Sequence, residues 1–193
     1  MKSNIKKKIK KDQILLSAIS VVNSNGYENT TMEDISKKLQ MTKGSLYYYF
    51  KNKNDLMYQC HVLLLSLAIK DLTEIIKAEL PAEITMRKMV ATHIEYAIEE
   101  KQFFNVIFDP ISTFDKKQLA PILSARKEYS RLFDEVIQKG VEEGAFHVTD
   151  PTFVRQIMLG AMNWVQQWYQ PNGRLTKLEV IEKYGDYIIK LLK

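Results

Sequence analysis

Apolar residues recur at three- and four-residue steps along most of the chain, the spacing of amphipathic helices. Ile14, Leu15, Ala18, Val21 and Val22 keep this step. They predict a first helix from about Lys8 to Asn25, ended by Gly26 in a left-handed conformation. Thr30 and Glu33 have the spacing of a capping box. It would open a short helix over about Thr31 to Leu39. Gln40 and Met41 form a turn, and Thr42 caps a further helix, about Lys43 to Phe50. Asn52 caps a fourth, starting at Lys53 and running through "DLMYQCHVLLLSLAIKDLTEIIKAEL". Two short helices joined by a turn of about three residues read as a helix-turn-helix. Ile35, Leu39, Met41, Leu46 and Phe50 supply its core, and Val21, Val22 and Tyr27 complete a three-helix unit.

The same period continues to the C-terminus. Residues 84–100 place Met86, Met89, Val90, His93 and Ala97 on one side of a helix. The segment "KQFFNVIFDPIS" is short and apolar and leaves the helical region before Pro110. A long helix is expected from about Lys116 to Glu143, stopped by Gly144. Asp150 caps the next, with Pro151 at its first position. After the turn "PNGR", "TKLEVIEKYGDYIIKLLK" closes an all-α chain. The expected organisation is a helix-turn-helix domain over 1–52 and a larger helical bundle over 53–193.

Composition agrees with helices: 193 residues carry only 7 Gly and 5 Pro. No run of about 18 apolar residues predicts a membrane span. The basic start "MKSNIKKKIKK" and the apolar run after it are not followed by an A-x-A-like cleavage site, which favours a helix over a signal peptide. One cysteine, Cys60, forms no internal disulfide, and a cytoplasmic location is the simplest expectation. Charge is unevenly spread. Residues 1–53 hold eleven lysines against four acids, +7, which leaves −2 for residues 54–193 out of the total of +5. That asymmetry fits a polyanion partner for the first quarter, or a solvated basic face.

The stretch "MTKGSLYYYFKNK" at 41–53 narrows the choice. Successive helical residues turn by about 100°, so Leu46 and Phe50 share the buried face and the three tyrosines point elsewhere. Lys43, Gly44 and Ser45 lie at the helix start, where free N–H groups favour anions. Hydroxyls and ammonium groups suit phosphate oxygens, and aromatic edges suit thymine methyls and sugars. Double-stranded DNA fits this surface. Packing against neighbouring helices is the other reading of the tyrosines, Tyr49 above all. The lysines at 6–11 form a backbone or minor-groove arm, or a solvated tail.

The segment "TTMEDISKKLQMTKGSLYYYFKNKNDL" resembles the DNA-binding signature of the TetR family of bacterial transcriptional regulators. The shared features are a threonine pair, an isoleucine soon after, a short turn, and the run Gly44, Leu46, Tyr47, Phe50, Lys53, Leu56. The resemblance implies operator contacts from Thr31, Thr42, Lys43, Gly44, Ser45, Tyr47, Tyr48, Tyr49 and Lys53. It also implies a C-terminal bundle that senses a ligand and dimerises through its last two helices. Two departures stand out. Leu39-Gln40 replaces the usual Ala-Gly of the turn, where a left-handed Gln40 costs about 1 kcal/mol. Tyr49 replaces a common histidine.

Two apolar stripes agree with a homodimer: Phe153, Ile157, Gly160, Ala161, Trp164 and Trp168, then Leu178, Ile181, Gly185, Ile188 and Leu192. Gly160 and Gly185 inside helices suggest close approach of another backbone. Core packing within one chain is the alternative. His93, Tyr96, Phe103, Phe104 and Phe108, with Tyr129, Phe133, Met158 and Met162, are candidates to line an apolar pocket or to form plain core. "GAMNWVQQWYQPNGRLT" loosely resembles regulators of lipid or acyl-CoA metabolism, which implies a small hydrophobic effector. Arg126 or Arg155 would then meet a phosphate, unless each belongs to a surface salt bridge. Cys60 and His61 diverge on their helix, and no Glu-x-x-His pair, P-loop or nucleophile elbow occurs. No enzyme activity, metal or cofactor is expected. Two readings follow: a ligand-released repressor, or a DNA-binding dimer whose C-terminal half binds a protein partner or only dimerises.

Overall fold

The computed structural model describes the backbone of residues 2–104 and 114–193, and the side chains of 10–103 and 114–193. Among these residues all regular structure is helical. In chain order the helices are α1 (Lys2–Asn25), α2 (Met32–Lys38), α3 (Lys43–Tyr47), α4 (Lys53–Lys77), α5 (Ala82–Glu99), α6 (Lys101–Phe104), α7 (Lys116–Glu142), α8 (Pro151–Asn163), α9 (Val165–Trp168) and α10 (Lys177–Leu192). None is long and apolar enough to cross a membrane.

Local chemistry sets most boundaries. Gly26 (φ 82) closes α1, and Gly144 (φ 71) follows α7. Asn52, Asp150 and Thr176 cap α4, α8 and α10 by accepting from the N–H three residues on. The capping box of α2 differs from the expected pair. Thr31 and Asp34 form it, with the Asp34 carboxylate accepting from Thr31 N at 2.9 Å. Thr30 instead donates its hydroxyl to Gly26 O at 2.8 Å, satisfying a carbonyl at the end of α1. Glu33 pairs with Lys37 at 2.9 Å. α1 also begins earlier than the apolar pattern suggests, at Lys2. α3 is shorter than expected: its last turn tightens, with Tyr49 N donating to Leu46 O at 3.0 Å.

Two apolar clusters divide the chain. The first joins Ile14, Ala18 and Val22 of α1 to Ile35, Leu46 and Phe50, and α4 adds Leu56, Met57, Cys60 and Leu64. The second surrounds α5, whose Ala82, Met86, Met89, Val90, Ile94 and Ala97 are all buried. α4, α7, α8 and α10 pack around this central helix. Leu72, farther along α4, belongs to the second cluster, so one helix serves both. The close approach that requires a glycine lies at Gly140, where a Cβ would stand 2.0 Å from the Phe146 ring.

Candidate functional site

The helix-turn-helix is built on three buried anchors, Ile35, Leu46 and Phe50. Between α2 and α3 the chain turns through Gln40 at φ 52, a left-handed conformation that glycine would occupy more easily. Met41 N then donates to Ser36 O at 2.9 Å, closing α2. Thr42 caps α3: its hydroxyl accepts from Ser45 N at 3.1 Å and lies 2.8 Å from Ser45 Oγ. With Leu46 and Phe50 inward, Lys43, Gly44, Ser45, Tyr47 and Tyr48 face outward. Tyr47 is 45% and Tyr48 70% exposed, high values for large rings. A Cβ at Gly44 would meet nothing within 4 Å, so the backbone there is open to a partner.

Three candidates sit differently. Tyr49 is half-buried against the first cluster and meets the Tyr48 ring edge-on at 5.2 Å. Thr31 is exposed, but its hydroxyl donates to Asp34 at 2.6 Å. Lys53 is half-buried, with its ammonium 4.1 Å above the centre of the Tyr27 ring. It therefore starts from a cation–π contact. Tyr27 is held in place by donating to Asn54 Oδ1 at 2.8 Å. The side chains of Lys6, Lys7 and Lys8 lie outside the described residues.

A cavity of about 130 Å³ opens inside the bundle. Its walls are helix faces. α4 presents His61, Leu64, Leu65 and Ala68, spaced i, i+3, i+4, i+7; α5 presents His93 and Tyr96; α7 presents Arg126, Tyr129 and Ser130; α8 presents Leu159 and Asn163. Phe103 of α6 closes one side. Four of the expected pocket residues, His93, Tyr96, Phe103 and Tyr129, thus share this space. Phe133, Met158 and Met162 do not line it: each is fully buried in the second cluster, packed by other side chains. Phe108 and the side chain of Phe104 lie outside the described residues. Sequence reasoning misses His61, Leu64, Leu65, Ala68, Ser130, Leu159 and Asn163. A histidine one turn before an apolar stripe is the available signal.

The cavity's polar groups are unusual for so apolar a space. His61 is 4% exposed and neither ring nitrogen has a hydrogen-bond partner among the described residues. Burial, and then the charge of Arg126, push its imidazole down to about 4. His93 Nδ1 lies 3.0 Å from the Tyr129 hydroxyl, and burial pushes this ring down to about 4 against the pull of Asn163. Burial also lowers the Arg126 guanidinium and raises the Tyr129 phenol. Tyr96 donates to Asp71 at 2.7 Å, and burial followed by that contact raises its phenol. Arg155 is engaged elsewhere, at 2.6 Å from Asp134. Among the described residues no cluster of His, Cys, Asp or Glu is arranged to hold a metal.

The second expected surface is partly open. Phe153, Ile157, Gly160 and Ala161 of α8, Trp164 at its C-cap and Trp168 at the end of α9 are all exposed. On α10, Leu178 is exposed and Ile181 half-buried, but Gly185, Ile188 and Leu192 are buried within the protomer. The group that crowds Gly185 is the Arg87 side chain of α5, whose Nη1 would lie 3.3 Å from an added Cβ. A neighbour within the protomer, and not another backbone, therefore fills that space. Tyr187 and Leu191 are exposed on α10 instead.

A helix-turn-helix with an outward aromatic face, set on a helical bundle that encloses a cavity, defines a transcriptional regulator of the helix-turn-helix type. Residues 14–60 match the family model "Bacterial regulatory proteins, tetR family", and residues 79–192 match "Tetracyclin repressor-like, C-terminal domain". The chain belongs to the TetR family. It is similar to the fatty acid metabolism regulator protein of Bacillus subtilis, 23% identical over 152 residues, 78% of each chain. It is also similar to the HTH-type transcriptional repressor KstR2 of Mycolicibacterium smegmatis, 25% identical over 179 residues, 91% of this chain and 86% of that protein. The fold matches AibR in complex with isovaleryl coenzyme A and operator DNA, with TM-score 0.73 and 23% identity over 94% of this chain and 97% of that one.

Proposed function

We propose that this TetR-type regulator is a homodimeric repressor that leaves its operator when a small hydrophobic molecule enters the cavity. The observation that carries this reading is a shared wall. Leu64 and Phe103 line the cavity and also belong to the buried cluster of the DNA-binding unit, and Tyr96 packs against the same cluster. An occupant that displaces any of these residues moves groups packed against α1 and α4. Asn23 of α1 donates to the carboxylate of Glu100, next to α6, and ties the two units on the same side. The relatives support the chemistry: one is named for fatty acid metabolism, and a structural neighbour holds isovaleryl coenzyme A and operator DNA. Release follows if the occupied conformation fits the operator less well than the empty one.

The operator contacts are proposed for Lys43, Gly44, Ser45, Tyr47 and Tyr48, with Thr31, Thr42, Tyr49 and Lys53 at the margins. The α8 face and the exposed part of α10 are proposed to pair with a second copy. The test is fluorescence anisotropy on an operator duplex selected from random sequence, titrated with compounds that raise the protein's melting temperature. A stabilising compound should weaken operator binding by at least about tenfold. Binding without any change in operator affinity would overturn release.

A further inference from the structure

His61 is the cavity group that the apolar-effector reading leaves unexplained. Leu64, Leu65, Ala68 and Leu159 suffice to hold an alkyl chain. An imidazole almost fully buried, with both nitrogens unpartnered among the described residues, adds nothing to that task and works against folding. It is neutral at pH 7, so it offers one N–H and one bare nitrogen. Arg126 lines the cavity from α7, near enough for its charge to lower the His61 pKa further, and Ser130 lies one turn along the same helix. These polar groups line the same small space as the apolar stripe of α4.

Resting on the apolar-effector reading, we propose that the cavity recognises an acyl oxygen, with His61 and Arg126 donating to it and a short apolar chain lying along α4. The volume limits the chain. At about 130 Å³ the space is close to the engineered cavity of about 150 Å³ that takes a benzene ring. The part of the occupant inside the cavity is then roughly six to eight non-hydrogen atoms. The acyl oxygen can come from a free carboxylate or from a thioester whose larger carrier stays outside the cavity.

The experiment uses the full-length protein and four probes whose apolar parts are of similar bulk, followed by calorimetry and by operator release. Hexanoate and the N-acetylcysteamine thioester of hexanoic acid carry the acyl oxygen; toluene carries none; hexan-1-ol carries a hydroxyl only. At least one acyl probe should bind about tenfold tighter than toluene and hexan-1-ol, and whichever acyl probe binds tighter identifies the source. His61→Phe should weaken the acyl probes by about tenfold and leave toluene within about threefold. His61→Gln, which keeps a donor and an acceptor, should recover most of the loss. Arg126→Gln, a second variant independent of His61, should weaken hexanoate in the same direction. A His61 that does not touch the ligand predicts instead that His61→Phe keeps every probe's affinity, whatever its effect on melting, and that result overturns the proposal. Equal binding of toluene and the acyl probes overturns it too, while leaving the apolar-effector reading standing. If no probe binds or releases operator, both fall.

Discussion

Single residues carry this protein's most testable electrostatics. His61 and His93 are both held at about 4, against an ordinary 6.5. Between those values the unfolded chain binds more protons than the folded one, so stability rises with pH there. The neutral imidazoles are without penalty above pH 6.5. Stability is then lost as pH falls from 6.5 through about 4. Each shift corresponds to about 3 kcal/mol at full protonation. Melting temperature should therefore fall steeply between pH 6.5 and 4, and His61→Phe should remove a large part of that slope. A flat profile in the variant and wild type alike would show that the rings are not buried neutral. Only His93 is legible as a candidate cavity wall from its neighbours in sequence. His93 reads as inward-facing because it interrupts an apolar stripe. His61 does not, because the adjacent Cys60 points to metal chemistry that the helical geometry then excludes.

Helices and their junctions are far more legible than the cavity they enclose. Boundaries are written locally: Asn52, Asp150 and Pro151 mark helix starts, and Gly26 and Gly144 mark ends. The departures are also local, such as the capping box one residue later than expected, at Thr31 and Asp34. The cavity is different in kind. α4, α5, α7 and α8 each show apolar residues on more than one side, and only their mutual packing decides which side meets empty space. That is why Phe133, Met158 and Met162, which share the apolar chemistry of a pocket wall, are plain core. One element-scale prediction concerns the turn. Gln40 holds φ 52 without glycine's freedom. Gln40→Gly should relieve roughly 1 kcal/mol of left-handed strain, partly offset by the greater entropy of an unfolded glycine. A small rise in melting temperature, with operator affinity kept, is the expected result. On the neighbouring helix, Tyr47→Ala should weaken operator binding at every sequence, and Tyr48→Ala or Lys43→Ala should also shift sequence preference in gel-shift assays.

At the scale of the whole molecule, the proposed regulation requires one cavity to govern one DNA duplex. A single α3 of five residues reads little sequence, and helix-turn-helix units gain specificity from two half-sites about 34 Å apart. Two copies are needed to span them. The surface proposed for that pairing is open in the protomer: Phe153 of α8 is 63% and Trp164 at its C-cap 56% exposed, with Leu178 and Tyr187 exposed on α10. So many large apolar groups together are rare on a free monomer. A Cβ at Gly160 would meet nothing within 4 Å, so a partner has room to approach there. Phe153→Asp combined with Trp164→Glu places two charges in that face without touching the cavity or α3. Sedimentation should then show a monomer. Operator affinity should fall by orders of magnitude, because each half-site is bound alone and the advantage of linkage is lost. Binding of a cavity ligand should survive, since its walls come from α4, α5, α6, α7 and α8 of one chain. A double variant that stays dimeric would move the interface elsewhere. One that is monomeric yet still grips the full operator would remove the need for spacing, and with it the route by which a shift at Leu64 and Phe103 reaches the DNA.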